Sequence, residues 1–284
     1  MSNLDNLDEM TRQQLETLAG WMRGKKTVLV TGAGMSTDTG IPDYRGKGNT
    51  EIPSVEYDQF VSDPVWQRWV WARNHQTWQT MLSLDPAPAH LAQARLERAG
   101  LLTGIATQNV DGLDLKAGCK EVYEMHGSFV RVECVDCGEV TDRQALHERL
   151  TEANPDYPLD LNPAHVAILA VADRKAAEAC TFKTVPCERC GGLLKPAVVF
   201  FGQLLPTEVM SRAYAAAAKA DVVVVVGSSL VVGTATYVMQ AGLAKGAPLA
   251  IINRGRTMYD RAADLRIEGG ASQCLTALAD LLGA

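Results

Sequence analysis

Thr27-Val28-Leu29-Val30-Thr31-Gly32-Ala33-Gly34 is five apolar or β-branched residues running directly into Gly-x-Gly. The run predicts a short buried strand, and the glycines predict a tight turn at its carboxyl end. A strand followed by a glycine turn is how a nucleotide-binding domain begins, because Gly32 and Gly34 let backbone amides approach a pyrophosphate closely. The full dinucleotide fingerprint also asks for a third glycine, where Thr37 stands, and for an acidic residue about 20 positions on at the end of a second strand. The corresponding stretch, Thr50-Glu51-Ile52-Pro53, is no clear strand. Both departures argue against a hydride-transfer dehydrogenase.

Working outward, residues 12–23 predict a helix with Leu15, Leu18 and Met22 on one face and Gly24 stopping it. Further buried strands are expected at 102–107, 197–201, 221–226 and 248–252, with helices at 91–99, 207–219 and 237–245 and a last helix at 275–282. Alternation of this kind implies α/β architecture: a doubly wound, mainly parallel Rossmann-like sheet with helices on both faces. Residues 128–195 break the rhythm. They contain a loop at 154–158 and an alanine-rich, helix-capable stretch at 163–179, and they read as a small module inserted into a discontinuous domain of residues 1–127 and 196–284. Trp66, Trp69, Trp71 and Trp78 form a stripe that reads as core packing of a helical region rather than as a ligand cage.

The chain has 284 residues, 47% of them hydrophobic and 21% charged. That composition fits a globular protein and excludes a mainly disordered or collagen-like one. A net charge of -6 argues against a constitutive nucleic-acid binder, which needs a basic face. The longest apolar runs fall far short of the ~20 residues of a membrane span. The acidic first ten residues resemble neither a secretory signal nor a transit peptide, so a cytoplasmic location is expected.

Four of the seven cysteines form two knuckles, Cys134-Val-Asp-Cys137 and Cys187-Glu-Arg-Cys190, each followed by glycine. Four thiolates suffice for one tetrahedral zinc per chain, and a closed Cys₄ site leaves no open position for catalysis, so the metal is expected to be structural. Residues 138–186 separate the knuckles, well beyond the ~15–20 residues of an ordinary zinc ribbon, which marks an insertion. A redox Cys-x-x-Cys opens a helix after a strand; neither pair does so. Cys119, Cys180 and Cys274 read as small buried hydrophobes.

Three more motifs sit at or beside strand ends: Thr107-Gln108-Asn109-Val110-Asp111, Glu124-Met125-His126-Gly127-Ser128, and Gly227-Ser228-Ser229-Leu230. Asn253-Arg254 follows the strand at 248–252. Ligands of doubly wound sheets bind at the carboxyl ends of the strands, so these segments are expected to converge on one crevice.

The ordered set resembles the sirtuins: Gly-Ala-Gly-x-Ser, Gly-Ile-Pro-Asp-Tyr-Arg, Thr-Gln-Asn-Val-Asp, His-Gly-Ser, two knuckles, Phe-Phe-Gly, Gly-Ser-Ser-Leu and Ile-Asn-Arg. The likeness spans residues 15–282 and is nearest to the class II members. It implies an NAD-dependent protein-lysine deacylase acting on acyl-lysine proteins or peptides, with nicotinamide and O-acyl-ADP-ribose as products. Gly32, Ala33, Gly34 and Ser36 would cradle the NAD phosphates, and Asp43, Tyr44 and Arg45 would belong to a loop closing over the cofactor. Gln108 and Asn109 would contact the nicotinamide ribose, with Val110 beside them, and Asp111 would bind the carboxamide. Gly227, Ser228 and Ser229 would hold phosphates and the adenosine ribose, Asn253 and Arg254 would lie beyond them, and Ala271 would lie near the adenine. His126 would be the general base, with Asn109 catalytic beside it; an imidazole of near-neutral pKa suits a ribose hydroxyl. Val199, Phe201 and Gly202 would flank a substrate paired as a strand.

Asp114 stands where many members carry His, Gln203 where many carry Glu, and Gly233-Thr234-Ala235 replaces a Pro-containing stretch. These departures bear on substrate choice more than on cofactor use. Protein mono-ADP-ribosylation and a non-catalytic NAD-sensing scaffold remain the alternatives. His75, His90, His147 and His165 read as surface or packing residues.

Overall fold

In a computed structural model that describes residues 7–41, 53–166 and 170–284, the opening run Thr27–Thr31 is strand β1, every residue of it buried. It pairs in parallel with β2 (Leu102–Thr107) on one side and β7 (Val222–Val226) on the other. Outside these lie β3 (Val122–Glu124) beyond β2, and β8 (Leu249–Asn253) then β9 (Leu265–Glu268) beyond β7. The order β3-β2-β1-β7-β8-β9 reverses direction at β1, so the crevice between the β1 and β7 tips is the switch point of the sheet.

The five valines of β7 show why this sheet needs apolar runs. Side chains alternate, so Val222, Val224 and Val226 enter one core with Leu15, Leu18, Leu29 and Leu275, while Val223 and Val225 enter the opposite core with Val28, Val30 and Met239. The first core is roofed by α1 (Glu9–Met22), α4 (Pro88–Arg98) and α10 (Ala271–Leu281). The second is roofed by α8 (Thr207–Ala217) and α9 (Gly233–Leu243).

Helices α4, α9 and α10 start three or four residues before the apolar pattern predicts. Pro88 opens α4, pre-set for the first helical position, and the Ala87 N–H is capped by the His90 ring at 3.1 Å. The edge strands β3 and β9 are not apolar runs, which is why residue pattern misses them: Val-Tyr-Glu and Leu-Arg-Ile-Glu each bury a single residue, Tyr123 and Ile267.

A second sheet is antiparallel, in the order β5 (Val140–Asp142), β4 (Gly127–Cys134), β6 (Leu194–Val198). The strand expected at 197–201 is therefore corrected: it begins at Leu194, ends at Val198 and belongs to this sheet. Cross-strand pairing of Cys134 with Leu194 sets its start, and Pro196 is tolerated because β6 is an edge.

Around this sheet pack α2 (Tyr57–Ser62), α3 (Pro64–Ser83), α6 (Arg143–Ala153) and α7 (Arg174–Ala179). Three of the four tryptophans of the stripe are core, and Trp69 packs half-buried against it. Trp66, Trp71 and Trp78 are buried on α3, and the Trp71 and Trp78 indoles donate to the Leu194 carbonyl and to Gln144 Oε1. Among the described residues of the helix-capable stretch 163–179 are a 3₁₀ turn at Pro163–His165 and α7, which the Asp173 side chain caps. Among the described residues, no helix is long and apolar enough to cross a membrane.

Candidate active site at the strand tips

Two loops leave the tips of β1 and β7 and press backbone against backbone. The Gly34 N–H donates to the Gly227 carbonyl at 2.8 Å, and the Gly32 N–H donates to the Val226 carbonyl at 3.1 Å. A Cβ on Gly34 would lie 2.7 Å from Gly227 Cα, and Gly227 itself holds a left-handed φ of 63°. Only glycine fits at either position. The result is a backbone surface at the strand tips that no side chain covers, which lets a pyrophosphate approach closely.

The loop after β2 completes the floor. Asn109 Nδ2 donates to the Gly32 carbonyl at 3.1 Å and to Ser36 Oγ at 3.2 Å, and Ser36 Oγ donates to Asp111 Oδ2 at 2.7 Å. Asp111 Oδ1 accepts the Leu113 N–H at 3.0 Å, so the buried carboxylate is held from two sides. Ser228 Oγ, from the β7 tip, reaches across to Gln108 Oε1 at 2.7 Å. Val110 differs: its side chain is buried in the core beside Phe129 and Phe200, and its carbonyl accepts from Phe129 N–H at 2.7 Å.

His126 lies where the two sheets meet. Its Nδ1 sits 3.0 Å from the Gln108 carbonyl, which only accepts, so the Nδ1 hydrogen points there and the Nε2 lone pair is left as the base. Burial lowers its pKa below the ordinary 6.5, against a smaller upward pull from the Gln108 carbonyl. The neutral, proton-accepting form is therefore the resting form at neutral pH. The His126 carbonyl takes the Val199 N–H at 2.8 Å, which ties the base to the end of β6. Beyond Val199, Phe201 is 50% exposed and Gly202 turns with a φ of 82°.

At the far side, Asn253 and Arg254 leave β8, and the Arg254 guanidinium lies over Gly270, next to Ala271 at the start of α10; a Cβ on Gly270 would come within 2.5 Å of Arg254 Nη2. The Ser229 carbonyl accepts from Met258 N–H at 3.0 Å. Asp43, Tyr44 and Arg45 lie outside the described residues.

Residue pattern alone missed what stands behind this floor. His90 is buried, as a packing residue should be, but its Nε2 lies 3.5 Å from Ser36 Oγ, which makes it part of the site's support. Gln93, one turn further along α4, donates to the buried Asp114. The available signal was the α4 pattern itself, which puts His90 and Gln93 on the helix face turned to the sheet.

The four knuckle cysteines come together, all four Sγ atoms within 4.8 Å of one another, with Cys134–Cys190 at 3.5 Å and Cys137–Cys187 at 3.9 Å. Zinc–sulfur bonds of about 2.3 Å place tetrahedral sulfurs about 3.8 Å apart, so the donor set fits structural zinc. Gly138 and Gly191, with φ of 70° and 76°, turn each knuckle. Cys119 and Cys274 are buried as expected, and Cys180 is half-buried.

A profile described as the Sir2 family matches residues 32–234. The chain belongs to the Sir2 family. An NAD-dependent protein deacetylase 1 of Mycobacterium avium is 41% identical over 273 residues, covering 95% of this chain and 96% of that protein. A mitochondrial NAD-dependent protein lipoamidase, sirtuin-4 of Bos taurus, is 38% identical, covering 88% of this chain and 81% of its own. A solved Sir2 structure with a p53 peptide and NAD+ superposes with a TM-score of 0.74 at 28% identity, covering 95% of this chain and 98% of the other. This Sir2 chain thus has the family's Rossmann-like α/β fold with a four-cysteine module.

Proposed function

We propose that this chain is an NAD-dependent deacylase of lysine side chains in proteins or peptides. The observation that carries the reading is His126: Nδ1 is committed to the Gln108 carbonyl, Nε2 is free, and the ring lies between the glycine cradle and the end of an edge strand. NAD supplies the ribose carbon to which the acyl oxygen is transferred, with nicotinamide as the leaving group. In this reading Gly32, Ala33, Gly34, Ser36, Gly227, Ser228 and Ser229 hold the phosphates and adenosine ribose. Asn253, Arg254 and Ala271 form the adenine end, and Asp43, Tyr44 and Arg45 close over the cofactor. Gln108 and Asn109 flank the nicotinamide ribose, Val110 anchors their loop in the core behind it, and Asp111 accepts from the carboxamide.

His126 Nε2 takes the proton of a ribose hydroxyl, and the Gln108 carbonyl steadies the imidazolium that forms. Val199, Phe201 and Gly202 offer the substrate backbone an edge to pair with, so the acyl-lysine enters as part of an added strand. The closed cysteine site holds one zinc and takes no part in the chemistry. Residues 1–127 and 196–284 act as the cofactor domain and residues 128–195 as the zinc module, with β6 (Leu194–Val198) crossing from one to the other.

The test is nicotinamide release from NAD in the presence of peptides carrying short and long acyl-lysines. Release that depends on the acyl group and is lost in His126→Ala supports the reading. No release across the panel overturns it, as does transfer of ADP-ribose to protein at an equal or greater rate.

A further inference from the structure

Asp114 is the second residue of the short helix α5 (Leu113–Lys116), three residues after Asp111, and is only 3% exposed. Gln93 on α4 aims its amide at it: Nε2 donates to Asp114 Oδ1, while Oε1 of the same amide is buried without a partner. A carboxylate can only accept, whereas a carboxylic acid also donates. An acid and an amide can close a ring of two hydrogen bonds, amide N–H to acid carbonyl and acid O–H to amide oxygen. A protonated Asp114 supplies the one donor that Gln93 Oε1 lacks.

The surroundings favour the same form. From the loop, Asp111 faces Asp114; from β3, Glu124 does so, itself paired with Arg131 at 2.6 Å. From α4 come His90, whose Nδ1 accepts the Ala87 N–H, and Glu97, which takes the N–H groups of Lys120 and Glu121. The buried Cys119 thiol touches the Gln93 amide and faces Asp114, with Arg98 near that thiol. Lys116 turns away to the Leu84 carbonyl and Asp85; the hydrogen bonds from Gln93 and the Thr107 hydroxyl favour the charged form, but less than burial and the Asp111 charge oppose it. No cation pairs with Asp114 among these groups.

We propose that Asp114 and Gln93 form a neutral acid–amide pair behind Asp111, so that the floor of the nicotinamide subsite carries one negative charge with the pair protonated and two without its proton. This rests on Asp111 being the carboxamide contact. It makes Asp114 a specificity-determining residue that senses the charge of the ring. Nicotinamide is cationic while joined in NAD+ and neutral once released. A second negative charge at the floor favours the cationic ring and leaves the neutral product unaided. Burial, with the Asp111 charge second, pushes the Asp114 carboxyl up to about 7, so the change falls in the working range.

The experiment measures, from below to above pH about 7, the dissociation constant of NAD+ and the inhibition constant of free nicotinamide. In the native protein the preference for NAD+ over nicotinamide should rise by about three- to tenfold across that range, the effect of one charge at under ~10 Å at intermediate dielectric. In Asp114→Asn, whose amide keeps both bonds to Gln93, the ratio should be flat. Gln93→Leu, which removes the pairing partner, should move the midpoint. In parallel, infrared difference spectra of native protein against Asp114→Asn should show a protonated-carboxyl band that vanishes on the alkaline side. An absent band on the acid side overturns the pair whatever the ligands do. A titrating band with superimposable ratios in native and variant protein overturns the coupling to the ring. Nicotinamide release from acyl peptides, measured separately, distinguishes either failure from failure of the deacylase reading.

Discussion

His126 owes its chemistry to one backbone carbonyl. With Nδ1 committed to Gln108, the ring offers a single basic nitrogen. Removing it in His126→Ala should lower turnover by about 10²–10⁴, the usual contribution of a general base, while NAD affinity changes only a few-fold; nicotinamide release and cofactor titration measure the two separately. Because burial lowers the pKa of this histidine, the acid limb of the rate profile should fall at a pH below 6.5 rather than above it. Asp114 yields a prediction of opposite sense, read in stability. Its folded-state pKa of about 7 exceeds the ordinary 3.8, so between those values the folded chain keeps a proton that the unfolded chain has released. Stability therefore falls as pH rises through that window and levels off above it. Asp114→Asn should be more stable than the native chain by an amount that grows across the window towards about 4 kcal/mol, read from urea midpoints against pH. His126 was legible in sequence because it sits in an ordered set of motifs. The Asp114–Gln93 pair was not: the departure at 114 was visible, but burial and partnership depend on how α4 packs.

At the scale of elements, the function rests on two loops that only glycine permits. β1 and β7 were readable from their unbroken apolar runs, as both are buried on two faces. The turns after them were readable as glycine signals, but their mutual contact was not, because 193 positions separate Gly34 from Gly227 and nothing local records the approach. Gly227→Ala should cost at least about 2 kcal/mol, combining a left-handed φ with overpacking against Gly34 and Met35. It should also weaken NAD binding, since relief requires the two loops to part. Thermal melts and cofactor titration on the same variant check both effects. If NAD affinity is retained in a destabilised Gly227→Ala protein, the cradle does not depend on this contact. β6 shows where residue pattern misleads: the apolar run 197–201 contains the end of a strand and the start of a turn, and only pairing with β4 sets the boundary.

For the whole molecule, the question is how a metal site in the second sheet matters to chemistry at the first. The path is short and covalent. Cys134 ends β4, whose first residue, Gly127, follows His126; the second knuckle leads through Leu194 into β6, whose continuation at Val199 donates to the His126 carbonyl. The four sulfurs gather within 4.8 Å, and a zinc held by them would fix both strands at the end remote from the base. Without the metal, four thiol groups at that spacing gain no comparable bond, and the folding free energy that coordination supplies is lost. Elemental analysis should therefore find about one zinc per chain. Cys187→Ser, or a strong chelator, should lower stability by at least about 3 kcal/mol and reduce deacylation with it. Hydrogen exchange should localise the damage: protection lost in β4, β5 and β6, and retained in β1, β7 and β8, which lie between two apolar cores of their own. Exchange that rises uniformly would mean the two sheets unfold as one unit. Unchanged exchange and activity after verified metal removal would show that strand pairing alone holds the base, and that the cysteines contribute nothing to its position.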